Sequence, residues 1–133
     1  MQEPRESHWN SAKRGLRYIQ GTKDFDLLYK RNKNFTLVGY SDVDFVGDID
    51  DRTSNSGYLM NMGSPTISWN CKKQTTIANF SVEAKYISTW EATCEIVWLD
   101  KVLQYLRFFQ AKVTSLLIDS QSAIKLAKNQ NFH

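Results

Sequence analysis

Three aspartates lie where the sequence predicts the ends of strands. Asp42 and Asp44 interrupt an otherwise apolar segment within 36–46, and a strand period of two residues puts both side chains on one face. Asp119 directly follows the apolar run 113–118 and precedes a helical pattern. Carboxylates clustered at the carboxyl ends of adjacent strands are typical of a site for Mg²⁺ or Mn²⁺. Because Asp often caps helices, a helix N-cap is the alternative interpretation of Asp119.

The elements that would position these acids follow from the spacing of apolar residues. We predict a helix over 6–20 capped by Gly21, strands over 36–46, 57–62 and 66–71, a long helix after the N-cap Ser81, a strand over 113–118 and a closing helix. The three early strands are typical of an antiparallel meander, and the fourth would return beside the first as a parallel strand. The fold class is therefore α/β, a mixed sheet with flanking helices.

The long helix carries an apolar stripe every three or four residues: Ile87, Trp90, Cys94, Trp98, Val102 and Leu106. This spacing predicts that the stripe, including both tryptophans, packs in the core. Cys71 and Cys94 match no metal-ligand or redox spacing, so we expect free, buried thiols.

The charge pattern excludes some classes and leaves others open. The chain of 133 residues is 41% hydrophobic, has a net charge of +3 and contains no apolar stretch long enough to span a membrane, which favours an intracellular protein. Basic residues cluster at Lys13, Arg14 and Arg17, at Lys30, Arg31 and Lys33, and at Lys72 and Lys73 beside Trp69. Each cluster is either ordinary surface charge or, on a shared face, a phosphate track, and Trp69 either packs or stacks on bases.

Five strings carry a family resemblance: HWNSAKRGLRYIQGT, GYSDVDFVGDIDDRTSNSGYL, ISWNCKKQ, SVEAKYIS and IDSQSAIKLAKNQNFH. In order and spacing they resemble the ribonuclease H region of copia-type retrotransposon polyproteins. The resemblance implies a ribonuclease H-like fold, a mixed five-stranded sheet of which the pattern supplies four strands. It also implies a single domain over 1–133, with a connection helix and lead-in over 1–30 and the ribonuclease H-like core over 36–133.

The resemblance further implies a two-metal site that cuts the RNA strand of an RNA–DNA hybrid. Asp42 and Asp119 match the first and third metal-binding acids of the family. The second departs, because Lys85 stands where the family has a metal-binding Glu, and Glu83 lies about 200° away around the helix. The fourth acid belongs to a further strand past the NFH string, whereas this chain stops at His133, so we expect a C-terminally truncated fold.

Two functional classes follow from these departures. We favour a non-catalytic ribonuclease H-like binding module, with Lys85 near the acids and in an ion pair with them. The alternative is an active ribonuclease H that uses Mg²⁺ or Mn²⁺ at Asp42 and Asp119, with help from Glu83 or Asp44. The expected partners are an RNA–DNA hybrid or other nucleic acid, bound weakly through Lys72, Lys73 and Trp69, and a second copy paired through the edge of 113–118. The expected compartment is the cytoplasm or the nucleus.

Overall fold

A computed structural model describes residues 4–30, 36–45, 53–110 and 113–129. Its elements are α1 (Glu6–Thr22), β1 (Leu37–Asp44), β2 (Asn55–Met62), β3 (Thr66–Lys73), α2 (Ser81–Tyr105), β4 (Ser115–Ile118) and α3 (Gln121–Ala127). The predicted α/β class is confirmed, and the arrangement is consistent with a ribonuclease H-like fold. Among the described residues, none of the helices is long and apolar enough to cross a membrane.

The four strands form one mixed sheet in the order β3-β2-β1-β4. β1 pairs antiparallel with β2, and β2 pairs antiparallel with β3, which confirms the predicted meander. β4 returns beside β1 as a parallel strand, with Ser41 opposite Ile118. The next residue of each strand is an acid, so Asp42 and Asp119 lie at the carboxyl ends of neighbouring parallel strands.

One face of the sheet packs against α2 and carries the main core. Leu37 and Met60 from the sheet are fully buried against Ala92, Leu99 and Leu103 of the helix. The approach is close at Gly39 of β1, where an added Cβ would lie 2.8 Å from the Ile96 side chain and 2.9 Å from the Met60 sulfur. A residue without a side chain at this point lets the helix lie directly on the strands.

The long helix is present, but its predicted core stripe is wrong. The buried residues of α2 are Ala84, Ser88, Ala92, Leu99 and Leu103, whereas Trp90 and Trp98 are exposed. Small side chains pack here because the helix lies close to the sheet, where an indole has no room. The predicted burial of the thiols is also wrong, since Cys71 and Cys94 are both exposed.

Two predicted helix caps differ from the structure by one or two residues. Gly21 lies inside α1, whose C-cap is Lys23. Ser81 is the first helical residue of α2, and Phe80 takes the N-cap position without a side-chain hydrogen bond. Propensity alone places such boundaries poorly, because terminal turns differ little in free energy.

A candidate acidic site held by a lysine

Asp42 is presented by the exposed face of β1. Its carboxylate Oδ1 accepts a hydrogen bond of 2.7 Å from the backbone N–H of Val43. Asp44 shares the same exposed face and lies opposite Asn55 in the register. The strand period therefore places the two acids as the sequence predicts, side by side along one strand.

Two buried serines fix the acidic end of β1 to α2. The Ser88 hydroxyl donates to the backbone carbonyl of Asp42 at 2.8 Å, and the Ser41 hydroxyl lies 2.8 Å from the Ser88 oxygen. Because the Ser88 hydroxyl donates its one hydrogen to the Asp42 carbonyl, the Ser41 hydroxyl must be the donor in the bond between the two serines. Both hydroxyls are thereby satisfied inside the core, and Lys85, one turn before Ser88, is aimed at the same end of the sheet.

A buried glutamine holds the first turn of α2. The side-chain Nε2 of Gln74 donates to the carbonyl of Ala84 at 3.0 Å and to the Ser56 hydroxyl at 2.7 Å. This residue joins the end of β3, the start of β2 and the turn that carries Lys85. Sequence reasoning missed Ser41, Ser88 and Gln74; the signal for Ser88 was its spacing of four residues from both Ala84 and Ala92, a row of small side chains on one side of α2.

Lys85 forms an ion pair with both oxygens of Asp119. Its ammonium lies 2.8 Å from Oδ1 and 2.7 Å from Oδ2. The side chain of Lys85 is 27% exposed and that of Asp119 is 62% exposed, so the pair sits at the rim of the domain. The N-cap interpretation of Asp119 is wrong, because Ser120 caps α3 by accepting a hydrogen bond from the N–H of Ala123. The Asp119 carboxylate therefore pairs with Lys85 and does not cap α3.

The ion pair and Asp42 share a narrow cleft. Its lining residues are Ser41, Asp42, Lys85, Ser88, Thr89, Ile118, Asp119 and Ser120. Lys85 is the only cation among the described residues that line this cleft, and its ammonium binds the Asp119 oxygens that a divalent ion would need. Within the described ranges, no three His, Cys, Asp or Glu side chains come together as metal ligands. Among the described residues, the cleft therefore offers two carboxylates, and that of Asp119 is already paired with Lys85.

Glu83 lies outside that cleft. Its Oε2 accepts a hydrogen bond of 2.8 Å from the backbone N–H of Asn79, which ties the side chain back to the start of α2. It lines a separate, largely apolar cavity of about 720 Å³ with Phe45, Phe80, Tyr86 and others. The structure thus brings Asp42, Lys85 and Asp119 together but leaves Glu83 on another side of the helix.

The three residues predicted to bind nucleic acid are divided between the two faces of the sheet. Lys72 points to the face covered by α2, where its ammonium lies 2.9 Å from a carboxylate oxygen of Glu91. The hydrogen bond and charge of Glu91 raise the pKa of Lys72. Trp69 and Lys73 alternate with Lys72 along β3, so their side chains belong to the opposite face, and both are exposed.

A second polar contact stands beside the Lys72 pair. The Ser68 hydroxyl donates to Glu95 at 2.6 Å. Burial and the nearby charge of Glu95 raise the pKa of the Tyr58 phenol. These groups join β2 and β3 to α2 and contribute no residue to the acidic cleft.

The chain is similar to transposon polyproteins. It is 40% identical over 133 residues to the retrovirus-related Pol polyprotein from transposon TNT 1-94 of Nicotiana tabacum, and 36% identical over 133 residues to that from transposon RE2 of Arabidopsis thaliana. It spans 10% and 9% of the length of these two proteins. No family model matches the chain.

A shorter protein is also similar. The secreted RxLR effector protein 161 of Plasmopara viticola is 45% identical over 97 residues, which are 73% of this chain and 68% of that protein. The same sequence region is therefore found both inside long polyproteins and as most of a short protein.

Proposed function

Because this chain is similar over its whole length to retrovirus-related Pol polyproteins from copia-type transposons, we propose that it is a ribonuclease H-like domain of retrotransposon origin that acts as a non-catalytic binding module. The proposal has two parts. The acidic site does not load divalent metal ions, and the fold is retained for binding.

The observation that carries the first part is the position of the Lys85 ammonium, within 2.8 Å of both oxygens of Asp119. A divalent ion bound to the same carboxylate would lie roughly 5 Å from this ammonium. The repulsion there is about 2 kcal/mol in water and about 7 kcal/mol at an effective dielectric of 20. Metal binding must also displace an ion pair that is already formed. Both effects oppose loading of the site.

One observation favours the alternative, an active ribonuclease H. Asp42 and Asp119 lie at the carboxyl ends of adjacent parallel strands, where metal-binding acids of α/β proteins gather. In that case Mg²⁺ or Mn²⁺ would be held by these two carboxylates and would activate the attacking water. Lys85 would have to swing outward on its flexible stem. Glu83 could take part only after the first turn of α2 re-formed.

A cleavage assay on an RNA–DNA hybrid separates the two functions. We expect the wild-type chain and Asp42→Asn, purified in parallel, to cleave at the same background rate in Mg²⁺ and in Mn²⁺. The variant is a suitable control because the Asp42 side chain is exposed and does not pack in the core, so the substitution should leave the fold unchanged. Cleavage by the wild type that Asp42→Asn abolishes would refute the non-catalytic proposal and establish the enzyme.

The proposed binding activity is weak and electrostatic. Trp69 and Lys73 share the exposed face of β3, where an indole can stack on a base beside a cation. Lys72 contributes less, because it is paired with Glu91. Binding to a fluorescent hybrid should therefore weaken steeply between low and physiological salt. An affinity that does not change with salt would contradict this part of the proposal.

Two further proposals concern partners and location. β4 is the outer strand of the sheet within the described residues, so a second copy could pair with its edge. We also propose, from the resemblance to retrotransposon proteins, that the chain acts in the cytoplasm or the nucleus; one relative is named as a secreted protein. Light scattering tests the first of these proposals, and a tagged chain imaged in cells tests the second.

A further inference from the structure

The sheet face opposite α2 carries a row of apolar side chains across all four strands. Leu59 lies opposite both Trp69 and Tyr40, and Tyr40 lies opposite Leu117. The row is exposed by 68% at Trp69, 38% at Leu59, 42% at Tyr40 and 51% at Leu117. We call these four residues the open-face row. Because α2 and α3 pack together on the other side, no helix of the described residues covers this row.

The same chain contains an apolar helix face without a partner. Helix α1 places Trp9, Leu16 and Ile19 along one side, and each of them is exposed by at least 60%. None of the residues of α1 is buried. A helix stripe and a sheet face of this kind are the two halves of a helix-on-sheet layer.

The charges of the two surfaces are complementary. Lys13 lies beside the apolar stripe of α1, with its ammonium 5.0 Å from the centre of the Trp9 ring, and Arg17 lies about 80° around the helix from Trp9, whereas Arg14 is on the opposite side. The sheet presents Asp42 and Asp44 on its open face, directly beyond the open-face row along β1. A helix docked on that row would bring its basic side chains toward these carboxylates, which adds specificity to the apolar contact.

We propose that α1 of a second copy of this chain covers the open-face row, and that the exchange is reciprocal in a two-fold symmetric dimer. Seven apolar side chains at roughly 100 Å² each bury about 700 Å² in one contact, and two symmetric contacts bury about 1,400 Å², within the range of a stable interface. Exchange of an identical element between copies is a low-cost route to such dimers.

Two other occupants fit less well. A nucleic acid bound at Trp69 and Lys73, as in the proposed function, would compete with a second copy for Trp69, and the carboxylates of Asp42 and Asp44 would keep its phosphates away from the β1 part of the row. The chain's own α1 makes no buried contact with the sheet, and the lead-in after it is held at β3 by a hydrogen bond of 2.8 Å from the Tyr29 hydroxyl to the Thr66 carbonyl. In a dimer, the apolar side of α1 in each copy contacts the open-face row of the other copy, and neither surface has to move within its own chain.

Sedimentation equilibrium of the full chain at micromolar concentration tests the dimer. We expect Leu16→Asp on α1 and Trp69→Ser on the sheet each to raise the dissociation constant at least tenfold. Both side chains are largely exposed, so circular dichroism should show an unchanged fold. Tyr18→Asp, on the opposite side of α1, is the matched control and should leave the dissociation constant unchanged. A dimer insensitive to Leu16→Asp would place the interface elsewhere, for example at the β4 edge, and overturn the proposal.

A disulfide experiment shows which chain supplies the helix. Cys71 is exposed on the open face, one position beyond Trp69 in the strand period. Ala12→Cys introduces a thiol on the apolar side of α1, in a Cys94→Ser background that removes the other native thiol. Mild oxidation should give a covalent dimer that links peptides containing positions 12 and 71.

The disulfide experiment has a control variant and two results that would contradict the proposal. Asn10→Cys places the thiol on the far side of α1 and should give little covalent dimer. The same linkage within a monomer would show that α1 folds back on its own sheet. A monomeric chain without this linkage, whether or not it binds RNA, would show that the open face is not covered by α1. Each of these results overturns the proposal.

Discussion

Replacing Lys85 is the sharpest perturbation of the acidic site. Lys85→Met removes the charge and keeps an apolar stem of similar length, and Lys85→Glu reverses the charge. The ion pair with Asp119 is largely exposed, so its loss should change the free energy of unfolding by about 1 kcal/mol or less. Both variants should therefore fold, and any change in metal affinity reports on the site itself.

The expected change in Mn²⁺ affinity follows from the geometry of the ion pair. At roughly 5 Å from a divalent ion, the ammonium contributes a repulsion of about 2 kcal/mol in a water-like dielectric. We use this lower value because Asp119 is 62% exposed. Lys85→Met should then bind Mn²⁺ about 30-fold more tightly than the wild type, since 1.4 kcal/mol is tenfold. Lys85→Glu adds an attraction of the same size, for a total of about 10³-fold.

Isothermal titration with Mn²⁺ measures these affinities. Lys101→Glu is the matched control, because it makes the same charge change on the same helix, 16 residues further on and about 24 Å away. Adding Asp119→Asn to Lys85→Glu should abolish the gain. The reasoning is refuted if the wild type already binds Mn²⁺ tightly, or if Lys85→Glu binds it no better than Lys101→Glu.

Three further predictions concern stability. Gly39→Ala should lower the free energy of unfolding by about 1–3 kcal/mol in urea denaturation, because its Cβ would meet Ile96 at 2.8 Å. The control Gly15→Ala, whose Cβ would have nothing within 4 Å, should be neutral or stabilising. Equal effects of the two substitutions would contradict the close approach of α2 to β1. Arg107→Gly should raise the melting temperature, because φ of 61° after α2 costs a residue with a side chain about 1 kcal/mol. The pKa values of Tyr58 and Lys72 are raised on folding, so protonation stabilises the fold below pH 10 and stability should fall as the pH rises above that value. Tyr58→Phe should make this decline shallower, and an unchanged pH profile would rule out the contribution of the phenol.

Much of the fold could be predicted from the sequence because it depends on local patterns. Strand alternation around Asp42 and the apolar run before Asp119 place both acids at strand ends. The helical period after residue 80 predicts α2, yet the period alone does not say which side of the helix meets the sheet. Large apolar residues suggested the side with Trp90, whereas the close packing over Gly39 selects the side with Ala92.

The sequence by itself determined the element order, the pair of acids and the presence of a lysine where the related family has a metal-binding Glu. The family resemblance also predicted that this lysine lies near the acids, and only the tertiary structure decided that its partner is Asp119. The ammonium of Lys85 reaches Asp119 across 34 residues of sequence because the parallel pairing of β1 with β4 and the Ser88 contact with Asp42 set the helix above the strand ends. A contact between distant segments depends on packing geometry, which no local pattern encodes. The same geometry leaves the row from Trp69 to Leu117 without a covering helix among the described elements.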